Sequence, residues 1–289
     1  MKVLVTGGSG HLGQFVVRDL LVHGYEVVNA DRRPPANTAC GQSSPARFIQ
    51  TDVGSVGEVA GALVGCEAVV HLGAIPAPYR HADEVVFNNN TQATFAVLHA
   101  SSLLGINRAV IASSISAYGS AYSPAVTVPL YAPVDEDHPL LNHDAYGLSK
   151  EVDERTGQMF HRRTGMSMAA MRFHWVAAPG GALARVPIAN AALADPETSR
   201  VLWGYVDARD AASICRLALE SDAIGFEAFN VTAADTLAEL PTEDLLRRYA
   251  PSVEIRQPIP GFASPYSIEK AKRLLGWAPR HSWRDEATG

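Results

Sequence analysis

The chain has 289 residues, 47% of them hydrophobic and 19% charged, with a net charge of −6. A mean hydropathy of +0.01 over that length supplies enough apolar side chain for a sizeable core, which excludes a mostly disordered chain. The 24 Lys and Arg and 30 Asp and Glu form no like-charged block, so nucleic acid and anionic membrane surfaces are poor partners. Cys40, Cys66 and Cys215 are scattered and odd in number, which supports neither a disulfide framework nor a structural zinc site, and no metal is expected. Met1-Lys2-Val3-Leu4-Val5 runs straight into a glycine-rich turn with no leader pattern. No apolar run approaches the roughly 20 residues of a membrane span, so a cytoplasmic location is expected.

In chain order, Val3–Val5, Val27–Ala30, Phe48–Gln50, Ala68–Leu72, Ala109–Ser113 and Met168–Arg172 read as buried strands. Between them, Leu12–Val22, Gln92–Leu104 and Ala145–Arg163 carry apolar residues at helical spacing. Strands alternating with helices predict βαβ units and a parallel sheet covered on both faces: an α/β fold with a Rossmann-type doubly wound sheet. Beyond Arg172 the elements shorten. Val201–Tyr205 and Phe229–Thr232 are predicted strands; Arg209–Leu219 and Ile268–Leu275 are predicted helices. The expected division is a dinucleotide-binding domain over residues 1–172, with segments returning to it within about 203–232, and a smaller substrate-binding region over residues 173–289. The stretches Ala117–His143 and Pro251–Pro265 are predicted loops, long enough to be functional.

Thr6-Gly7-Gly8-Ser9-Gly10-His11-Leu12-Gly13 follows the first strand and opens the first helix. Gly7 permits a tight turn, Gly10 lets backbone approach a pyrophosphate, and Gly13 allows close packing of the helix. Phosphates would sit at the helix N-terminus, where free N–H groups and the dipole favour anions. Asp31 ends the second strand, and its carboxylate suits an adenosine ribose, which favours NAD; Arg32 and Arg33 keep NADP open. Asp52-Val53, after the third strand, can meet the adenine or cap a helix.

Tyr146 and Lys150 lie four apart on the third long helix and share a face. An ammonium beside a phenol favours the phenolate, the form a base needs. Ser113-Ser114 ends the fifth strand, at the carboxyl edge of the sheet where open α/β folds bind ligands.

At this point the chain resembles the extended short-chain dehydrogenase/reductase family, also called the NAD-dependent epimerase/dehydratase family. The matching pieces are Thr6–Gly13, Asp31, Asp52-Val53, His71-Leu72-Gly73-Ala74, Asn90, Ser113–Gly119, Tyr146–Lys150, Tyr205–Asp210, Lys270-Ala271 and Leu275-Gly276-Trp277, in the family's order across almost the whole chain. The resemblance implies a triad of Ser114, Tyr146 and Lys150, with Ser113 the competing choice for the serine. Tyr146 would be the general acid/base for a hydroxyl–carbonyl interconversion, Ser114 would hydrogen-bond the developing oxyanion, and Lys150 would tune Tyr146 and hold the nicotinamide ribose. It also implies NAD contacts by Gly7, Gly10, His11, Leu12, Gly13, Asp31, Arg32, Asp52, Val53, Leu72, Gly73, Ala74, Asn90 and Phe173, besides Tyr146 and Lys150. A homodimer formed through Gln92–Leu104 and Ala145–Arg163 is implied by resemblance alone.

Two departures narrow the substrate. Ser114-Ile115-Ser116 stands where dehydratases of the family carry Thr-Asp-Glu, so the acid and base for eliminating water are missing. Trp175 stands where nucleotide-sugar enzymes carry the Asn of Arg-x-x-Asn-x-x-Gly-Pro, and an indole cannot replace an amide. A small, polyhydroxylated, non-nucleotide substrate is therefore expected, bound by Arg80, Ser114 and Trp175, in the manner of the family's uronate dehydrogenases. An epimerase with transient oxidation and a non-catalytic dinucleotide-binding redox sensor are the alternatives; retention of Ser114, Tyr146 and Lys150 weighs against the sensor. His138, His143 and the run Asp135-Glu136-Asp137 are expected to be exposed.

Overall fold

A computed structural model describes residues 1–35, 46–179, 199–221 and 224–286; Cys40 lies outside them. Seven strands form one parallel sheet in the order β10-β7-β5-β4-β1-β2-β3. They are β1 (Lys2–Thr6), β2 (Glu26–Asp31), β3 (Arg47–Gln50), β4 (Ala68–His71), β5 (Arg108–Ser114), β7 (Ser167–Phe173) and β10 (Phe226–Val231). Apolar runs such as Val3-Leu4-Val5 and Val69-Val70 arise because both faces of each strand are covered. Alternate residues point to opposite faces. Val3, Val5 and Val70 pack with helices α1 (Gly13–Val22) and α5 (Ala208–Glu220). Leu4, Val69 and Ile111 pack with α2 (Val56–Leu63), α3 (Asp83–Leu103) and α4 (Ala145–Thr164).

A third apolar cluster lies beyond the carboxyl ends of the strands. It joins Ile115 and Tyr118, from the turn after β5, to Leu202, Trp203 and Leu245–Leu246. Helices α6 (Thr242–Tyr249), α7 (Glu269–Leu275) and α8 (Trp283–Glu286) complete the chain. Two short parallel pairs, β6 (Tyr131–Ala132) with β11 (Glu254–Ile255) and β8 (Val176–Ala177) with β9 (Val206–Asp207), stitch this region together.

Several sequence expectations change. Val201–Tyr205 is no strand: Leu202 and Trp203 take positive φ of 48° and 55°, a turn that buries both side chains in the third cluster, and pairing starts only at Val206. The second long helix begins at Asp83 rather than Gln92. Helices α2 and α6 were not anticipated, and the two predicted loops contain β6 and β11.

β1 lies between β4 and β2, so chain connections leave it in opposite directions. That switch opens a crevice above the carboxyl ends of β1 and β4.

Candidate active site

A cleft of about 1000 Å³ runs along this crevice from the glycine-rich turn to Trp175 and Trp203. Its first half is built by the turn after β1. Gly7 has φ +67°, and a Cβ there would stand 2.8 Å from the Gly73 nitrogen; a Cβ on Gly13 would stand 2.0 Å from the Gly7 oxygen. The loop thus folds tightly on itself and on β4. At Gly10 a Cβ would meet one protein atom, the Gly7 oxygen at 3.1 Å, and the residue lines the cleft, so a side chain would stand where a ligand passes. Helix α1 starts at this point with no side-chain cap on its first N–H groups, the arrangement that suits a phosphate. Asp31 lines the cleft with its carboxylate fixed by the N–H groups of Ser9 (3.1 Å) and Arg33 (3.3 Å). These features fit a dinucleotide.

Leu12, His11, Arg32, Val53, Leu72, Gly73, Ala74 and Phe173 also line the cleft. Arg32 Nη2 lies 3.2 Å from Asp52 Oδ1, an exposed pair. Two residues expected at the cofactor do not line the cleft. Asp52 is not on the cleft: its carboxylate accepts the Gly54 N–H, an Asx turn that leads into α2, and that bond first and Arg32 second hold its carboxyl below the usual range. Asn90 is buried in α3, where its amide accepts the Ile75 N–H (2.8 Å) and donates to the Ile75 carbonyl and to Ser149 Oγ (both 3.1 Å). It clamps one wall of the cleft onto α4 without touching the lumen.

The other half gathers Ser114, Tyr146 and Lys150. Asp144 caps α4 by accepting the Gly147 N–H at 2.8 Å. A Cβ on Gly147 would be 2.6 Å from the Ser116 oxygen, so the glycine lets α4 press against the turn after β5 and brings Tyr146 into the same cleft as Ser114. Both line the cleft with Lys150, whose Nζ sits 5.8 Å from the centre of the Tyr146 ring. Both adjacent serines line the cleft, and they differ in their bonds. Ser113 Oγ donates to Glu154 at 2.6 Å, and Glu154 is also gripped by Arg172 at 2.8 and 2.9 Å. Ser114 Oγ accepts the Ser116 N–H and donates to Ser116 Oγ, both at 3.1 Å, and a light hydroxyl-to-hydroxyl bond is readily exchanged for a ligand.

The far end of the cleft combines Arg80, Trp175 and residues that sequence spacing missed. Tyr122 packs its ring edge-on against Tyr146 at 6.0 Å and against Tyr79 at 5.7 Å. Burial pushes the Tyr122 phenol up to about 12, so it stays a hydrogen-bond donor. Trp203 arrives from the third apolar cluster and Leu237 from a smaller one with Tyr205, Ala233 and Trp283, through long-range contacts that no local motif marks. His174 also lines the cleft but is committed: Nδ1 accepts the Trp175 N–H at 2.7 Å, so Nε2 donates to the Val201 carbonyl at 3.0 Å.

Three residues expected to be exposed are withdrawn from solvent, His138 fully and Asp135 and Glu136 in part. His138 is buried, with Nε2 accepting the Leu130 N–H and Nδ1 bonded to the Pro139 carbonyl. Asp135 accepts the Tyr131 hydroxyl and Glu136 the Asn230 N–H. These polar groups are held there because they satisfy backbone and one another. His143 is exposed, as expected.

Fold and cleft define an NAD-dependent enzyme of the extended short-chain dehydrogenase/reductase type. The sequence pattern of the NAD dependent epimerase/dehydratase family matches residues 3–232, and the chain belongs to that family. A UDP-glucose 4-epimerase of Corynebacterium glutamicum is 26% identical over 98% of this chain and 92% of its own length. A short-chain dehydrogenase/reductase superfamily protein of Agrobacterium tumefaciens, solved with bound NAD, superposes with a TM-score of 0.73 at 24% identity, covering 99% of this chain and 96% of that one. A mutated uronate dehydrogenase gives 0.68 at 18% identity, covering 99% and 85%. At such identities the structures establish likeness of fold.

Proposed function

We propose that the protein interconverts a secondary alcohol and a carbonyl on a small polyhydroxylated, non-nucleotide substrate, with Tyr146 as general acid/base. The observation that carries this reading is the meeting of Ser114, Tyr146 and Lys150 in one cleft with the glycine-rich turn. Bound NAD supplies a nicotinamide ring that accepts or returns hydride. The Tyr146 oxygen takes the hydroxyl proton as the carbonyl forms and returns it in reverse. Ser114 Oγ donates to the substrate oxygen as it gains charge. Lys150 would hold the nicotinamide ribose hydroxyls, and it places positive charge beside the phenol. Arg80, which lines the far end, suits a substrate carboxylate, and the half-exposed Trp175 ring suits a sugar-like face. Asp31 on the cleft wall, with Arg32 held to Asp52, favours NAD over NADP.

Epimerisation by transient oxidation is the second reading, favoured by the 26% identity with a UDP-glucose 4-epimerase along 98% of this chain. A homodimer is part of the proposal: Val85, Phe95 and Leu103 of α3 and Leu148 of α4 are exposed apolar residues, a face suited to a second copy.

Titration with NAD and NADP, alone and with a panel of sugar acids and hydroxy-ketones, tests the reading. Net accumulation of NADH with one substrate identifies a dehydrogenase; product without net NADH identifies the epimerase. Tyr146→Phe is expected to lower turnover at least 100-fold with cofactor affinity nearly intact, and full turnover in that variant refutes the assignment. Light scattering checks the dimer.

A further inference from the structure

The sequence has four lysines: Lys2, Lys150, Lys270 and Lys272. Only Lys150 is buried, at 3% exposure. An ammonium has three N–H donors and no acceptor. On the protein side, Nζ donates to the Ala112 carbonyl of β5 at 2.9 Å and to Asp153 Oδ2 at 3.1 Å. Asp153 lies three residues further along α4, so it reaches the same Nζ from below, and it is itself 1% exposed. Two of the three N–H groups are therefore spent inside the protein, leaving one for the cleft.

The surroundings single out this carboxylate. From β4, His71 faces Lys150 but is neutral, held down to about 3 by burial and then by the lysine's charge. Glu154, next along α4, is engaged by Arg172 and Ser113. Burial pushes the Asp153 carboxyl up, opposed first by Lys150 and then by the Thr94 hydroxyl of α3, which both favour its ionised form. On the cleft side stand the Tyr146 phenol and, packed on it, Tyr122, with Asp144 capping the helix. Among the described residues, Asp153 is the carboxylate that forms an ion pair with Lys150. A buried ion pair adds little stability compared with an apolar pair of similar volume, so stability alone gives no reason for it.

We propose that Asp153 is a positioning residue for Tyr146, acting through Lys150: it keeps the ammonium charged and turned so that its third N–H and its field face the cleft. The inference rests on the reading of Tyr146 and Lys150 given above.

Lysine carrying 13C at Cε gives four resonances, and the one lost in Lys150→Met is Lys150. In Asp153→Asn the pH at which that resonance moves is expected to fall by about one unit or more, because the buried ammonium has lost its counter-charge. The pH profile of turnover should shift, and kcat near neutrality should fall about tenfold because the ammonium is no longer turned toward the cleft. Asp153→Glu should restore much of the wild-type profile, which a purely structural defect would not allow. If Asp153→Asn fails to fold, Thr94→Val should move the Lys150 titration in the same direction by less. An unmoved Lys150 titration in whichever variant folds, or an unmoved pH profile, overturns the proposal. With Tyr146→Phe inactive, that result leaves the reaction assignment standing; an active Tyr146→Phe removes the assignment itself.

Discussion

His71 and His174 make the fold sensitive to acid by an amount that follows from their surroundings. Both are fully buried: His71 shares a 2.7 Å bond with Thr6 Oγ1, and His174 is locked as the tautomer that accepts at Nδ1. Protonating His174 would set an N–H against the Trp175 N–H. Burial holds His71 down to about 3 and His174 to about 4, against roughly 6.5 in an unfolded chain. The unfolded chain therefore binds more protons below pH 6.5, and the stabilisation is complete above that pH and lost as pH falls toward the folded values. At about 1.4 kcal/mol per pH unit for each group, the pair costs roughly 5 kcal/mol at pH 4.5 relative to pH 7.5. That is a large share of the about 5–15 kcal/mol that holds an ordinary domain together. Buried carboxyls pushed up by desolvation, Glu136 and Asp144 among them, act in the opposite sense, so a variant must isolate the histidine share. Urea unfolding at 25 °C between pH 4.5 and 7.5 should show His174→Gln losing between about 2 and 3 kcal/mol less than the wild type over that window. Equal losses in the two proteins would refute the reasoning.

Two further perturbations test the framework that carries the site. Gly13→Ala drives a Cβ to 2.0 Å from the Gly7 oxygen, so NAD affinity measured by calorimetry should fall at least 10-fold; Gly61→Ala in α2, where a Cβ meets nothing within 4 Å, should leave affinity unchanged and stabilise by about 0.5–1 kcal/mol. Glu154→Gln leaves the buried Arg172 guanidinium without its counter-charge, a loss of about 3–5 kcal/mol, and thermal unfolding should register a drop of about 6–15 °C. Replacing both partners, as Glu154→Met with Arg172→Met, should recover most of that drop, because neither charge is then stranded.

The central sheet was legible because parallel strands buried on two faces must be apolar at every position, and Val3–Val5 and Ala68–Leu72 are written that way. Helix α2 was hidden by Gly57 and Gly61, poor helix formers that its short packed face tolerates. The first turns of α3 were hidden by Asn88-Asn89-Asn90, a run that looks like a loop until Asn90 is seen clamping Ile75. Val201-Leu202-Trp203 has strand composition, yet its hydrophobic side chains are buried by a turn rather than by pairing.

The site divides in the same manner. Spacing along one element revealed Gly7–Gly13 and the Tyr146–Lys150 pair, since each is a property of a single turn or helix face. It chose Ser114 over Ser113 by family pattern alone, because the bonds that distinguish them involve Glu154 and Arg172, brought from α4 and β7. Asp153 escaped for the same reason: three residues after a lysine it reads as an ordinary surface pair, and it gains its meaning only when β4, β5 and α3 close around both charges. In this fold the glycine-rich turn and the Tyr146–Lys150 pair are announced locally, whereas Tyr122, Trp203 and Leu237 reach the cleft through tertiary contacts. The residues that hold them in charge and orientation are defined by tertiary contacts, and those are the positions where substitution should change a pH profile more than an affinity.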